Sequence, residues 1–438
     1  MNPFASPWIP AVALLLLACL ARLLSRSWLA PGPFALLTWS MYLIVPLAVV
    51  PEYKVPAIGV WVILLLVVCT AIGADLGGGR AVAEPPGAPH ELSHLRKIPN
   101  LGVFFSFLGL AGTLYWAWRA FKGNGLDFSL PGLFSLESIL SVDRYAGEQP
   151  PLVVRALVIW IFPSALLGGM SLAIVHSGRR RLLCLAAIIP TLLLSIMQAT
   201  RANTLIVFIL GLSGYLAVRT VVGRGSYALL NRKTIIMVAG ALVAALSFFF
   251  VIDALRYHKQ QDEGVQLDPD WSRAKSAGLG YLAVFSHWAE SPGGLAAFQF
   301  GAGAYTFGGM FDVAGIHPRQ VGVYLKSVSL QGEDSNIYTV FRGLIEDFSL
   351  PGAVIFCLAV GFLAGLAYRN SSLGREAWTV GLAAFYGFLI WSPIASLFLY
   401  NGPILSMLVC AFALKRSPSA TLAPTTVVRR GSRRLGIT

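Results

Sequence analysis

The chain has 438 residues, of which 56% are hydrophobic and only 12% charged, and its mean hydropathy is +0.71. That balance excludes a soluble globular protein of this size and defines a polytopic membrane protein. A formal net charge of +13 would also suit a nucleic-acid binder, but the basic residues fall between apolar stretches, so no nucleic acid is expected as a partner.

In chain order, eleven apolar stretches approach the roughly 20 helical residues needed to cross a hydrocarbon core. They cover 7–25, 33–50, 56–74, 99–119, 152–176, 181–199, 202–222, 234–255, 351–368, 376–397 and 401–415. The start, Met1-Asn2-Pro3-Phe4, has no basic segment ahead of the first apolar run, and Arg22 and Arg26 follow it. This pattern predicts an uncleaved anchor whose beginning faces outward. The five cysteines, Cys19, Cys69, Cys184, Cys357 and Cys410, all lie in apolar runs without CxxC spacing. They read as small packing residues, not as a disulfide framework or a thiolate metal site.

Alternating the connections between two sides places 20 of the 33 lysines and arginines, but only 4 of the 20 acidic residues, on one side. By the positive-inside rule that side is cytoplasmic, giving an outward-facing N-terminus and a cytoplasmic C-terminus. The basic tail 416–438, with Arg429-Arg430 and Arg433-Arg434, then reads as an orientation signal or a contact to anionic membrane lipid.

Two outward connections exceed what neighbouring helices require, and long loops tend to carry function. One spans 119–155 and contains Asp143-Arg144-Tyr145 and Glu148; the other spans 256–350 and is rich in Leu, Phe, Ala and Gly. Its composition is too apolar for a disordered linker and predicts short helices that lie on or re-enter the membrane. A short outward turn, Gln198-Ala199-Thr200-Arg201-Ala202-Asn203, joins two spans.

At the end of the second loop, 335–347 has the periodicity of an amphipathic helix. Ile337, Val340, Phe341, Leu344 and Ile345 share one side; Asn336, Tyr338, Thr339, Arg342, Glu346 and Asp347 share the other. The pattern breaks at Ser349-Leu350-Pro351-Gly352, where proline cannot continue a helix from within. Such a helix is expected to sink its apolar side into the membrane and turn its polar side to the water above.

Soluble-enzyme motifs are absent. Gly301-Ala302-Gly303 lacks the third glycine and the βαβ context of a dinucleotide loop, so no cofactor is expected. Asp268-Pro269-Asp270 sits in a polar turn, and His258, His287 and His317 lack ligand spacing, so no metal site is assigned. Arginine does recur on the outer side next to aromatic or acidic residues: Arg144, Arg201, Arg256 beside Tyr257, Arg319 and Arg342. Its planar fork grips phosphate oxygens and keeps its charge, which suits a pyrophosphate.

Three stretches carry a family resemblance: Arg144-Tyr145-x-Gly147-Glu148, Thr200-Arg201-Ala202, and Asn336-Ile337-Tyr338-Thr339-x-x-Arg342 followed by Asp347-Phe348. In these the chain resembles the Wzy-type oligosaccharide repeat unit polymerases of bacterial O-antigen and exopolysaccharide assembly, with Ser349 where relatives tend to have glycine. The resemblance implies an all-α polytopic fold of about 11 spans with a large helical periplasmic loop, similar to the GT-C glycosyltransferases. It implies metal-independent, inverting glycosyl transfer on the periplasmic face. The donor would be an undecaprenyl-pyrophosphate-linked glycan and the acceptor a lipid-linked repeat unit, with a flippase and a chain-length regulator as partners.

On that reading Arg201, Arg256 and Arg342, then Arg144 and Arg319, stabilise the departing diphosphate. Asp347, Glu346, Glu148 and His317 are the candidate general bases. Tyr145, Asn203, Tyr257, Asn336, Tyr338 and Thr339 line the substrate. Two other activities stay open: an O-antigen ligase or related polyprenyl-phosphosugar glycosyltransferase, and a lipid-linked oligosaccharide transporter.

Overall fold

The computed structural model describes residues 6–78, 98–127, 129, 132, 135–136, 139–140, 150–175, 177–198, 200, 202–222, 275–276, 278–295, 300–316, 327–330, 333–373 and 375–415. Among them eight helical segments are long and apolar enough to span a membrane. They are α1 (Trp8–Ser25), α2 (Pro31–Val49), α3 (Ala57–Gly78), α4 (Ile98–Gly123), the pair α5 (Leu152–Val158) with α6 (Ile161–Leu172), the pair α7 (Gly178–Cys184) with α8 (Ile188–Met197), α9 (Ala202–Val221) and, after two short helices, α12 (Val340–Ser372). The short ones are α10 (Tyr281–Glu290) and α11 (Ala304–Val313). The apolar helices α13 (Trp378–Trp391) and α14 (Asn401–Leu414) complete the order. Leu16, Leu24, Phe107, Ile189, Leu363 and Phe412 are exposed, as expected where the surrounding solvent is lipid. The chain is therefore a helical, polytopic membrane protein.

The expected stretch 234–255 lies outside the described residues; eight of the eleven expected spans coincide with described segments long enough to cross a membrane, and α13 and α14 are shorter apolar helices within two more. Two of the expected spans are broken, because a turn at Ile159–Trp160 separates α5 from α6 and another at 185–187 separates α7 from α8. The apolar helices α13 and α14 have 14 residues each, about 21 Å of rise, which is shorter than the hydrocarbon core. Between them the chain runs through Ser392–Ser396 into a 3-10 turn at Leu397–Leu399. Irregular backbone between apolar helices of a membrane protein is tolerated where protein covers it, and here Ser396 and Leu397 are buried, with Ser396 Oγ donating to the Thr306 carbonyl of α11.

Small residues draw the helices together where lipid supplies no hydrophobic drive. Gly73 and Gly77 of α3 face Gly361 and Gly365 of α12, both pairs in G-x-x-x-G spacing. A Cβ on Gly77 would stand 2.0 Å from the Phe362 carbonyl oxygen, and one on Gly361 would stand 2.0 Å from that of Thr70. Backbone meets backbone along this seam. A similar approach joins α6 to α9, where a Cβ on Gly169 would fall 1.8 Å from the Gly211 carbonyl oxygen.

Part of the long connection 256–350 folds as expected, with α10 on the first turn of α3 and α11 against the Leu397–Leu399 turn. It also holds a two-stranded antiparallel hairpin, β1 (Val328–Leu330) and β2 (Glu333–Ser335), pairing Val328 with Ser335 and Leu330 with Glu333. This hairpin corrects the start of the amphipathic helix. Ser335 lies in a strand, 336–339 are not helical, and α12 begins at Val340. Strand pairing outcompetes helix propensity there, and the Val340 N–H is satisfied from outside, donating to the Ser392 carbonyl at 2.8 Å.

Candidate functional site

The site is organised by an interruption in α12. Ser349 adopts φ 62°, ψ 172°, a region populated almost only by glycine. Two residues later Pro351 has no N–H to give to the Asp347 carbonyl, and its ring would crowd that carbonyl in a continuous helix. The interruption therefore separates a short leading helix, Val340 to Phe348, from the span that follows, where the sequence predicted the break.

The leading helix carries the charges, and none of them faces open water. Arg342 is 6% exposed, Glu346 4% and Asp347 0%. This overturns the expectation of a polar side turned to the solvent above. An amphipathic wheel cannot register that the long connection folds back over the polar side. Here the Gly301 N–H donates to the Glu346 carbonyl at 2.9 Å, and α10 and α11 supply the covering residues.

Arg342 Nε donates to Glu346 Oε1 at 2.8 Å, an i, i+4 pair within one turn. The guanidinium carbon lies 3.8 Å from the centre of the Tyr338 ring and 5.3 Å from that of Trp288. Two aromatic faces thus hold a cation that would otherwise lose its hydration uncompensated. Tyr338 reaches Arg342 from the extended segment before the helix, not from the shared helical side the spacing suggested. Thr339 is the residue before the first turn, and its Oγ1 is buried with no hydrogen-bond partner among the described residues.

Asp347 is held differently. Its Oδ2 accepts from the Thr306 N–H at 2.7 Å and from the Thr306 hydroxyl at 2.6 Å, and its Oδ1 accepts from the Tyr305 N–H at 3.1 Å. Those amides belong to the first turn of α11, which kinks at Phe307 (φ −119°, ψ 23°), and the carboxylate fills the place of a capping side chain there. The preceding loop is shaped to admit it. Gly303 has φ 91°, Ala302 φ 51°, and a Cβ on Gly301 would stand 2.5 Å from Asp347 Oδ1. Successive amides in such a turn form an anion-binding nest, and the anion is a side chain of the same protein. Tyr305, partly exposed beside this cluster, has its phenol held above the ordinary value, first by burial and then by the neighbouring Glu346 carboxylate, with Arg342 opposing.

Of the residues expected from sequence, the structure brings together Tyr338, Thr339, Arg342, Glu346 and Asp347. Asn336 is exposed. Asn203 is used locally, its amide donating to Thr200 Oγ1 at 3.1 Å and Gln198 Oε1 at 3.3 Å at the head of α9. Arg144, Tyr145, Glu148, Arg201, Arg256, Tyr257, His317 and Arg319 lie outside the described residues. Sequence reasoning missed Tyr305, Thr306 and the Gly301–Gly303 turn as site components, and it read Trp288 as an interfacial or sugar-stacking aromatic where the structure sets its ring against Arg342. The glycine spacing before a helical run was the available signal, but it was weighed against an external phosphate and not against Asp347.

Fold and site together define a helical membrane protein with a buried arginine–carboxylate cluster at the head of a broken span. Comparison with protein families, curated proteins and solved structures finds no match.

Proposed function

We propose that the chain is a membrane-embedded glycosyltransferase acting on polyprenyl-diphosphate-linked glycans. More narrowly, we propose that it joins undecaprenyl-pyrophosphate-linked oligosaccharide repeat units into a surface polysaccharide. The observation that carries this reading is Arg342, a guanidinium fixed between Tyr338 and Trp288 beside Glu346 at the head of a lipid-facing span. A lipid diphosphate presents its charge at that depth, where the hydrocarbon tail meets the polar layer. Departure of the diphosphate takes the electron pair of the C1–O bond onto its oxygen. A pre-oriented guanidinium in a water-poor setting stabilises that charge by several kcal/mol, of the order of about 3 kcal/mol per donor.

In the same step an acceptor hydroxyl oxygen bonds to C1, and its proton passes to a carboxylate. Glu346 is the better placed of the two described carboxylates, because both oxygens of Asp347 are engaged by α11. Arg201 and Arg256, then Arg144 and Arg319, would complete the diphosphate contacts. The same reading takes the outer ends of the spans as periplasmic.

The test is polymer formation in proteoliposomes supplied with synthetic undecaprenyl-pyrophosphate repeat units. Arg342→Lys keeps the charge but loses the planar fork and is expected to cut the rate about 100-fold. The paired change Arg342→Met with Glu346→Leu removes both charges of the ion pair together and is expected to fold and yield no polymer. Wild-type amount and length of polymer from both variants would overturn the proposal.

A further inference from the structure

Besides a local bond from its N–H to the Gly303 carbonyl at 3.2 Å, Thr306 takes part in three hydrogen bonds that join separate parts of the chain. Its N–H and hydroxyl both donate to Asp347 Oδ2, at 2.7 and 2.6 Å, and its carbonyl accepts from Ser396 Oγ at 2.8 Å. The first two bonds grip the end of the leading helix of α12; the third grips the connection between α13 and α14. The start of the leading helix is tied to the end of α13 through Val340 N–H and the Ser392 carbonyl. Its far end has the Ser349 interruption, which alone would let the segment swing relative to the span below.

We infer that Thr306 is a positioning residue that sets Arg342 and Glu346 through Asp347; the inference rests on the glycosyl transfer proposed above. Asp347 is adjacent to Glu346 and five residues beyond Arg342, so pinning its carboxylate fixes the rotation of the leading helix about its axis. A fully buried carboxylate is costly unless its oxygens are satisfied, and here the nest and the Thr306 hydroxyl satisfy them. The fixed anion is thus a fastening between α11 and the charged helix, and the hydroxyl of Thr306 is its removable part.

The experiment compares the intact protein with Thr306→Val, Thr306→Ser and Gly301→Ala. It reads hydrogen exchange of residues 301–307 and 340–348 in micelles, and kcat and KM for the lipid-linked repeat unit. Gly301→Ala opens the same fastening from the other side, since its Cβ would meet Asp347 Oδ1, and serves if Thr306→Val does not fold. Thr306→Val is expected to speed exchange in both segments about tenfold, leaving α3 unchanged, and to lower kcat about tenfold with KM within about twofold. Thr306→Ser restores both. Unchanged exchange at 340–348, or faster exchange with wild-type kcat, overturns the inference. If the wild type itself forms no polymer, the glycosyl-transfer reading fails, and the exchange at 340–348 alone sustains or overturns the fastening.

Discussion

Replacing Ser349 by glycine should stabilise the protein. At φ 62°, ψ 172° a serine backbone is strained by about 1–3 kcal/mol, which glycine does not incur. Against that stands the extra freedom of glycine in the unfolded chain, about 0.5–1 kcal/mol. The serine hydroxyl also donates to the Phe348 carbonyl, a local bond that glycine gives up. The net expectation is a gain of up to about 2 kcal/mol, or up to roughly 4 °C in the apparent melting temperature of a chain this long. Thermal unfolding in one detergent at one scan rate measures it, with Ser349→Ala isolating the hydroxyl and Ser349→Val adding a branched side chain. The ordering should be Gly above Ser, Ser close to Ala, and Val lowest. A melting temperature for Ser349→Gly below the wild type would refute the assignment of strain to this residue.

Gly77→Leu or Gly361→Leu should open the α3–α12 seam and lower stability by more than about 2 kcal/mol, whereas Gly123→Ala, with nothing within 4 Å of the added carbon, should be neutral; thermal melts decide both. Arg342→Ala alone should cost about 3–5 kcal/mol by removing the guanidinium that pairs with buried Glu346, and the double change Arg342→Met with Glu346→Leu should cost less than either single one, as a double-mutant cycle would show. Trp288→Leu removes one of the two faces holding the guanidinium and should reduce polymer formation more than it reduces the melting temperature, because Tyr338 at 3.8 Å keeps the closer contact.

The spans were legible because lipid enforces a single rule, long uninterrupted apolar runs with satisfied backbone. Where the rule relaxes, the sequence said less. The turns at Ile159–Trp160 and 185–187 fall where Pro163 and Pro190, four residues beyond Ile159 and Ala186, leave those carbonyls without a helical donor, a signal overlooked inside apolar runs that read as continuous; α13 stops two residues before Pro393, and Ser396 then turns to Thr306, a contact 90 residues away in sequence. At the site, the break before Pro351 could be read directly from proline chemistry, and so could the gathering of Tyr338, Arg342, Glu346 and Asp347. What periodicity could not supply was the direction of the polar side. A wheel gives angles around an axis, not the identity of what packs there, so the covering by Gly301, Thr306 and Trp288 had no local signature.

The interlocked backbones of α3 and α12 bear on how the molecule can move. With Gly77 against the Phe362 carbonyl and Gly361 against that of Thr70, neither helix can slide by a fraction of a turn without atoms colliding. A full step of about 5.4 Å would be required. The part of α12 below Ser349 is therefore a fixed stake in the bilayer. Within α12, any motion that serves the proposed reaction falls to the few residues above it.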